Sequence, residues 1–237
     1  MPDRPSLLVF TPTRGRRERC EEMLQSFQET TDNADLLFVI DEDDQDTYEG
    51  MDWGEADCAV FAPKGTLSEI INHTATGLAD DYDALMFVAD DHLFRTPHWD
   101  TIMLDELAKM GGTGFLYPDD KRRVDVPEIV LISSDIVQAL GFFAEPSLGH
   151  FYIDNAWAEL GKKLGLIRFV PQVMIEHRHY SICADVEYDS TYRQAEDDHG
   201  SPDKAAFMQW KALSLSYQAA LLRRHFNPDI KWLLDRI

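Results

Sequence analysis

The chain has 237 residues, of which 22 are Lys or Arg and 43 are Asp or Glu, for a formal net charge of -21. That length suits one large α/β unit with a sizeable core, and the acid excess argues against a broad nucleic-acid-binding face or adhesion to an anionic membrane. Cys20, Cys58 and Cys183 lie far apart without zinc or disulfide spacing, and no apolar run approaches a secretion signal or a membrane span, so a cytoplasmic protein without membrane insertion is expected.

Leu7-Leu8-Val9-Phe10 reads as a first strand that ends in the loop Thr11-Pro12-Thr13-Arg14-Gly15-Arg16. A helix follows from about Arg17 to Glu29, with Met23, Leu24 and Phe27 on one face. Leu36 to Ile40 forms a second strand running into Asp41-Glu42-Asp43-Asp44, and Cys58 to Ala62 a third, followed by Pro63-Lys64-Gly65. The next helix, Leu67 to Leu78, turns Leu67, Ile70, Ile71 and Ala75 inward and also carries Asn72. Ala84 to Ala89 is a fourth strand, and it opens directly onto Asp90-Asp91-His92.

Adjacent carboxylates at the end of a buried strand repel each other and lose solvation unless a cation or strong donor lies between them. In open α/β sheets that end is where ligands bind. The cluster therefore reads as a divalent-cation site with the phosphates such an ion carries; in so acidic a chain, a solvated loop is the plain alternative. If the strands are parallel, Thr13-Arg14, Asp41 onward and Asp90-Asp91 share one sheet edge. One basic loop facing two acidic ones suits a nucleoside diphosphate with a metal. Neither G-x-G-x-x-G after the first strand nor G-x-x-x-x-G-K-[ST] occurs, which removes the dinucleotide and P-loop readings.

The second half predicts a helix from Trp99 to Met110, strands at 114–117 and 129–132, and a helix from Ser134 to Leu140 closed by Gly141. Gly149 to Asn155 leads into a helix running to Leu164, and Ile167 to Ile175 is a last strand ending at Glu176-His177-Arg178-His179. Ala184 to Asp203 is polar enough for a mobile loop or lid. From Pro202 the chain reads as helical, broken at Pro228, with Phe207, Trp210, Leu213, Leu215 and Leu221 available for packing.

This order of elements and motifs resembles the GT-A-fold glycosyltransferases of the large inverting family 2 type, over residues 6 to 180. Such enzymes keep an Asp-x-Asp motif after a buried strand, a Trp soon after it, an acidic pair opening a later helix and a His after the last strand. Here these look like Asp90-Asp91-His92, Trp99, Asp154-Asn155 and His177. A strict Asp-x-Asp is absent, and Asn155 leaves Asp154 as the only carboxylate of the later pair. The resemblance implies an α/β fold with a Rossmann-like mixed sheet flanked by helices. Residues 1–180 would be catalytic, with 1–117 holding the nucleotide sugar and 118–180 the acceptor, and 181–237 an acidic loop and helices packing on them.

The resemblance also implies roles. Asp91, Asp90 and His177 would hold Mn2+ or Mg2+, the imidazole favouring Mn2+, with His92 left open as a further ligand. Asp154 would be the catalytic base. Thr11, Pro12, Thr13, Arg14, Asp41, Lys64, Gly65, Asn72 and Asp90 would line the donor. The function implied is metal-dependent, inverting transfer of a hexosyl or pentosyl group from a nucleotide-sugar donor to an acceptor hydroxyl. A glycan or small-molecule acceptor is favoured, with a modified DNA base the minority option.

Plainer roles stand beside these. Asp154 at a helix start suits an N-cap, Arg14 a surface ion pair, Asp41 to Asp44 a solvated turn, and Trp99 and Trp157 core positions. His177 and His179 alternate, so only one of them is expected at a metal. Three other functions compete: a nucleotidyltransferase, which would want a more glycine-rich first loop; a metal-dependent hydrolase; and a noncatalytic nucleotide-sugar-binding module.

Overall fold

The structure, a computed structural model, describes residues 5–61, 65–184, 186 and 188–227. In chain order the first half comprises β1 (Leu7–Thr13), α1 (Arg17–Thr30), β2 (Asp35–Asp41), a 3-10 turn (Glu42–Tyr48), β3 (Asp57–Phe61), α2 (Leu67–Leu78), β4 (Ala84–Phe87), β5 (His92–Phe94) and α3 (Trp99–Lys109). The second half comprises β6 (Phe115–Asp119), β7 (Val130–Ser133), α4 (Ser134–Leu140), α5 (Ile153–Leu164), β8 (Ile167–His177), α6 (Ser190–Leu213) and α7 (Leu215–Phe226).

The strands form one mixed sheet in the order β3-β2-β1-β4-β7-β6-β8-β5. The first four are mutually parallel, β7 is antiparallel to β4 and β6, and β8 runs parallel to β6. The carboxyl ends of β1, β2, β4 and β8 therefore share an edge, as ligand-binding open sheets require.

Alternation along the central strands explains why both faces are covered. Leu7, Val9, Ala84 and Met86 face one way and meet Met23, Phe27, Trp99 and Met103 of α1 and α3. Leu8, Phe10, Leu85 and Phe87 face the other and meet Ile71, Val137, Trp157, Phe207 and Leu222 from α2, α4, α5, α6 and α7.

Several boundaries depart from expectation. β1 runs three residues further, so Thr11, Pro12 and Thr13 belong to the strand. The 3-10 turn and the three-residue β5 are additional, both too short to show periodicity. The polar stretch read as a mobile loop is helical from Ser190, and α6 continues through Pro202. Leu213 and Leu221 face outward instead of packing, while Ala219 and Leu222 are buried. Ala62, Pro63, Lys64 and the break at Pro228 lie outside the described residues.

Candidate active site

The shared sheet edge brings residues from β1, β2, the β4–β5 loop, the β6–β7 loop, α5, β8 and α6 around a cavity of about 360 Å³. Leu67, Ile70, Ile71, Phe87 and Trp157 give it an apolar wall, and Pro12, Arg14, Asp41, Asp91, Asp154 and His177 are among its other lining residues.

Asp90 and Asp91 are both buried and face different partners. Asp90 accepts hydrogen bonds from Thr13 Oγ1 at 2.7 Å and from Arg16 Nη1 at 2.9 Å. Its charge is thus answered by an arginine, contrary to the expectation that it joins Asp91 in a metal shell. Asp91 lies 3.3 Å from His177 Nε2 through Oδ2 and 3.0 Å from His92 Nδ1 through Oδ1. Burial pushes its carboxyl up, but the imidazoles of His177 and His92 overcome this and hold it well below the usual carboxylate range.

β5 explains how His92 reaches the site. It pairs antiparallel with β8, placing His92 directly opposite His177, and the two rings stack with centroids 4.0 Å apart. Asp91, His92 and His177 each offer a ligand atom, all within 4.8 Å of one another. His92 Nε2 is buried with no hydrogen-bond partner among the described residues, and Asp91 Oδ1 meets only the close approach of His92 Nδ1, whose hydrogen bond goes to Ala89 O at 3.1 Å. Unpaired buried acceptors are costly, and a carboxylate with two imidazoles is a fitting donor set for a borderline divalent cation. Burial lowers the His177 pKa, but Asp91 and Glu128 more than reverse this and raise it to about 9. A cation in this shell would take the place of the imidazolium proton. His179 also lines the cavity but bonds Ser181, and burial, with Arg122 and His177 nearby, lowers it to about 4.

Asp154 sits in the first turn of α5 but does not cap it. The N-cap position is Tyr152, at φ 64°, and Asp154 Oδ1 accepts from its neighbour Asn155 N at 2.8 Å. It forms no ion pair among the described residues. Burial raises its pKa to about 6 despite that hydrogen bond. Glu128, in the same cavity, is the opposite case: burial pushes it up, but His177 and Arg122 bring it down to about 2. The loop ahead of α5 is fixed by buried Asp203 of α6, which accepts from the backbone N–H groups of Gly149, His150 and Phe151 at 2.9, 2.8 and 2.7 Å.

At the β1 and β2 end of the cavity, Arg14 is tied to Asp41 at 2.7 Å and also pairs with Asp43. Asp41 keeps Oδ1 buried and unpartnered. Thr11 is wholly buried against Met23 Sδ and faces the core. Asn72 does not line the cavity either; its amide bonds the backbone of Phe143 and Ala144, at 2.8 Å in each of three contacts, and holds that loop. Gly65 precedes the α2 N-cap Thr66, beside the undescribed Lys64. Trp99 is buried on Phe27 and Phe94 and donates to Thr31, away from the site.

Sequence reasoning missed Arg16, Glu128 and Tyr192. Arg16 is two residues from Arg14 in the same basic loop, which is a usable signal; nothing local marks the others. Tyr192 of α6 donates its hydroxyl hydrogen to Asp91 Oδ2 at 2.6 Å, and Arg16 lies 4.4 Å above its ring. Asp189, the α6 N-cap, bridges Arg16 and Arg19 at 3.0 and 3.3 Å. The start of α6 is thus seated on the site.

No family profile and no curated protein matches the sequence. The fold has clear counterparts among solved structures. A mannosyltransferase from Pyrobaculum calidifontis, in complex with GDP-Man and Mn2+, is 14% identical with a TM-score of 0.53, over 94% of this chain and 74% of that one. Glucosyl-3-phosphoglycerate synthase from Mycobacterium tuberculosis, with Mn2+, UDP and glucosyl-3-phosphoglycerate, is 11% identical with a TM-score of 0.53, over 74% and 72%. The same enzyme with Mn2+, UDP-Glc and glycerol 3-phosphate gives 12% and 0.52, over 74% and 73%. The chain has the GT-A-type glycosyltransferase fold: a mixed eight-stranded sheet flanked by helices, extended by C-terminal helices.

Proposed function

We propose that this chain is a metal-dependent, inverting glycosyltransferase that moves a hexosyl or pentosyl group from a nucleoside diphosphate to an acceptor hydroxyl. The observation that carries the reading is the pairing, in one cavity, of an incomplete Asp91-His92-His177 shell with a carboxyl, Asp154, whose pKa is raised to about 6. Solved structures of the same fold hold Mn2+ with GDP-Man or UDP-Glc, which supports this reading.

Asp91, His92 and His177 would hold the cation, and the imidazoles favour Mn2+ over Mg2+. When bound, it supplies Lewis-acid charge to the diphosphate leaving group. Arg16 and Arg19 add positive charge beside Asp90 and Asp91, and the unpartnered Oδ1 of Asp41 suits a base or ribose N–H or O–H. Thr13 keeps Asp90 in place for Arg16. Asp154 takes the acceptor hydroxyl proton as that oxygen attacks the sugar. Glu128 is unsuited to that role because His177 and Arg122 hold it ionised and engaged. A single free carboxylate on the acceptor side is what direct, inverting displacement needs. The apolar wall of Leu67, Ile70 and Phe87 limits water as a competing acceptor. The acceptor class we favour is a soluble glycan or small molecule.

The test is nucleoside diphosphate release from a panel of nucleotide sugars with Mn2+ or chelator, followed by NMR of the product's anomeric configuration. Metal-dependent release with inverted configuration supports the reading. Retained configuration removes the inverting mechanism, and cleavage of simple phosphate esters without use of any nucleotide sugar would favour a hydrolase.

A further inference from the structure

Glu128 lies in the β6–β7 loop with a side chain only 10% exposed, and both of its oxygens are engaged. Oε2 is 2.7 Å from His177 Nδ1 and Oε1 is 2.7 Å from Arg122 Nη1. The opposite ring nitrogen of His177, Nε2, faces Asp91. The backbone is fixed as well: His177 N donates to Asp120 O at 3.0 Å, while Asp120 Oδ1 accepts from Arg122 N and Arg123 N at 2.7 Å each. Ring, backbone and the arginine that steers the carboxylate thus belong to one hydrogen-bonded turn.

We infer that Glu128 is a positioning residue for the cation site, accepting the Nδ1 proton of His177 so that Nε2 presents its lone pair toward Asp91 and His92. This rests on the cation-binding reading above. An imidazole has two nitrogens, and a carboxylate on one fixes both the tautomer and the ring plane offered by the other. Arg122 keeps Glu128 aligned and ionised for that purpose. Asp120, Glu128 and His177 also lie close enough to suggest a second cation. Glu128 and one oxygen of Asp120 are already occupied by hydrogen-bond donors, however, and His177 Nδ1 faces Glu128. The cluster therefore serves the first site.

The experiment is calorimetric titration of the full chain with Mn2+, comparing wild type, Glu128→Gln and His177→Ala, with melting temperatures recorded for each. The ring protons of His177 are followed by 15N NMR with Zn2+ as a diamagnetic probe. Glutamine keeps the size of Glu128 but loses its charge and can turn its N–H toward Nδ1. One ion in wild type and an affinity loss of about 10–100-fold in Glu128→Gln, with a single cooperative unfolding transition at a lower melting temperature, as loss of the charge between His177 and Arg122 requires, and a proton displaced from Nδ1, is the expected result. Wild-type affinity in Glu128→Gln with weakened binding in His177→Ala would overturn the role of Glu128 while leaving the cation site intact. Two ions in wild type, one lost in Glu128→Gln, would overturn it in favour of direct ligation. Absence of Mn2+ binding to wild type would overturn it together with the reading on which it rests.

Discussion

Asp154 and Glu128 line one cavity, yet their surroundings separate them, to about 6 and about 2. Environments that push two carboxyls apart are how acid–base roles are divided. A group whose folded value of about 6 exceeds its ordinary 3.8 binds its proton more tightly in the folded state. Its stabilising contribution is present below the ordinary value and is lost as pH rises through about 6. We expect transfer to switch on across that same window, as an acidic limb in the pH profile of kcat. Asp154→Asn should lower kcat by about 10²–10⁴-fold. It should also stabilise the fold at neutral pH by roughly 1–2 kcal/mol, so a variant both inactive and less stable would contradict the assignment. Tyr192 supplies a second residue-scale prediction. Its hydroxyl occupies the Asp91 oxygen that also faces His177, so Tyr192→Phe should tighten Mn2+ binding in calorimetry by several-fold, about the worth of one hydrogen bond. Weaker binding would show that the hydroxyl helps the site.

Among the elements, α5 carries the proposed base Asp154, and its placement depends on small tolerances. A Cβ on Gly161 would lie 2.7 Å from Ile167 Cβ on β8, closer than carbon atoms pack. Gly161→Ala should therefore displace α5 and cost about 1–3 kcal/mol, seen as a lower denaturation midpoint together with a lower kcat. A normal midpoint would refute the close approach. The elements were legible to different degrees for physical reasons. α2 and α4 were read from the sequence with the bounds they have, α2 from its apolar spacing and α4 from the Gly141 that closes it at φ 77°; the structure adds a Thr66–Glu69 capping box at the start of α2. The strands covered on both faces were legible as apolar runs. β5 was not, since three residues after an acidic loop carry no period; it forms only because β8 offers an edge. The expectation of a polar lid failed at α6, where Asp189 caps the helix and buried Phe207 and Trp210 anchor its far end. Motif order singled out Asp91, His177 and Asp154, and the fold brings all three to one cavity. Arg16 was within reach of the same reading, as a neighbour of Arg14 in the basic loop, whereas Glu128 and Tyr192 reach the cavity through tertiary packing alone, Tyr192 from a helix 101 residues away in sequence from Asp91.

At the scale of the whole molecule, one topological fact organises the rest: β1, β2, β4 and β8 deliver their carboxyl ends to a common edge. An acidic chain of net charge -21 still concentrates Arg14, Arg16, Arg19 and Arg122 around that edge, where an anionic diphosphate would meet them. No helix among the described residues is long and apolar enough to cross a membrane. The central claim is that this edge binds a nucleoside diphosphate through a cation. The most direct measurement is thermal unfolding with GDP or UDP in Mn2+, Mg2+ or chelator, on wild type and Asp91→Asn. A ligand at a hundred times its Kd stabilises by about 2.7 kcal/mol, which for a chain of this size raises the Tm by roughly 5–10 °C. We expect a shift of that order from one nucleotide in Mn2+, a smaller one in Mg2+, and none in chelator or in Asp91→Asn. Equal stabilisation with chelator and in the variant, or no stabilisation by either nucleotide in either metal, would contradict the account.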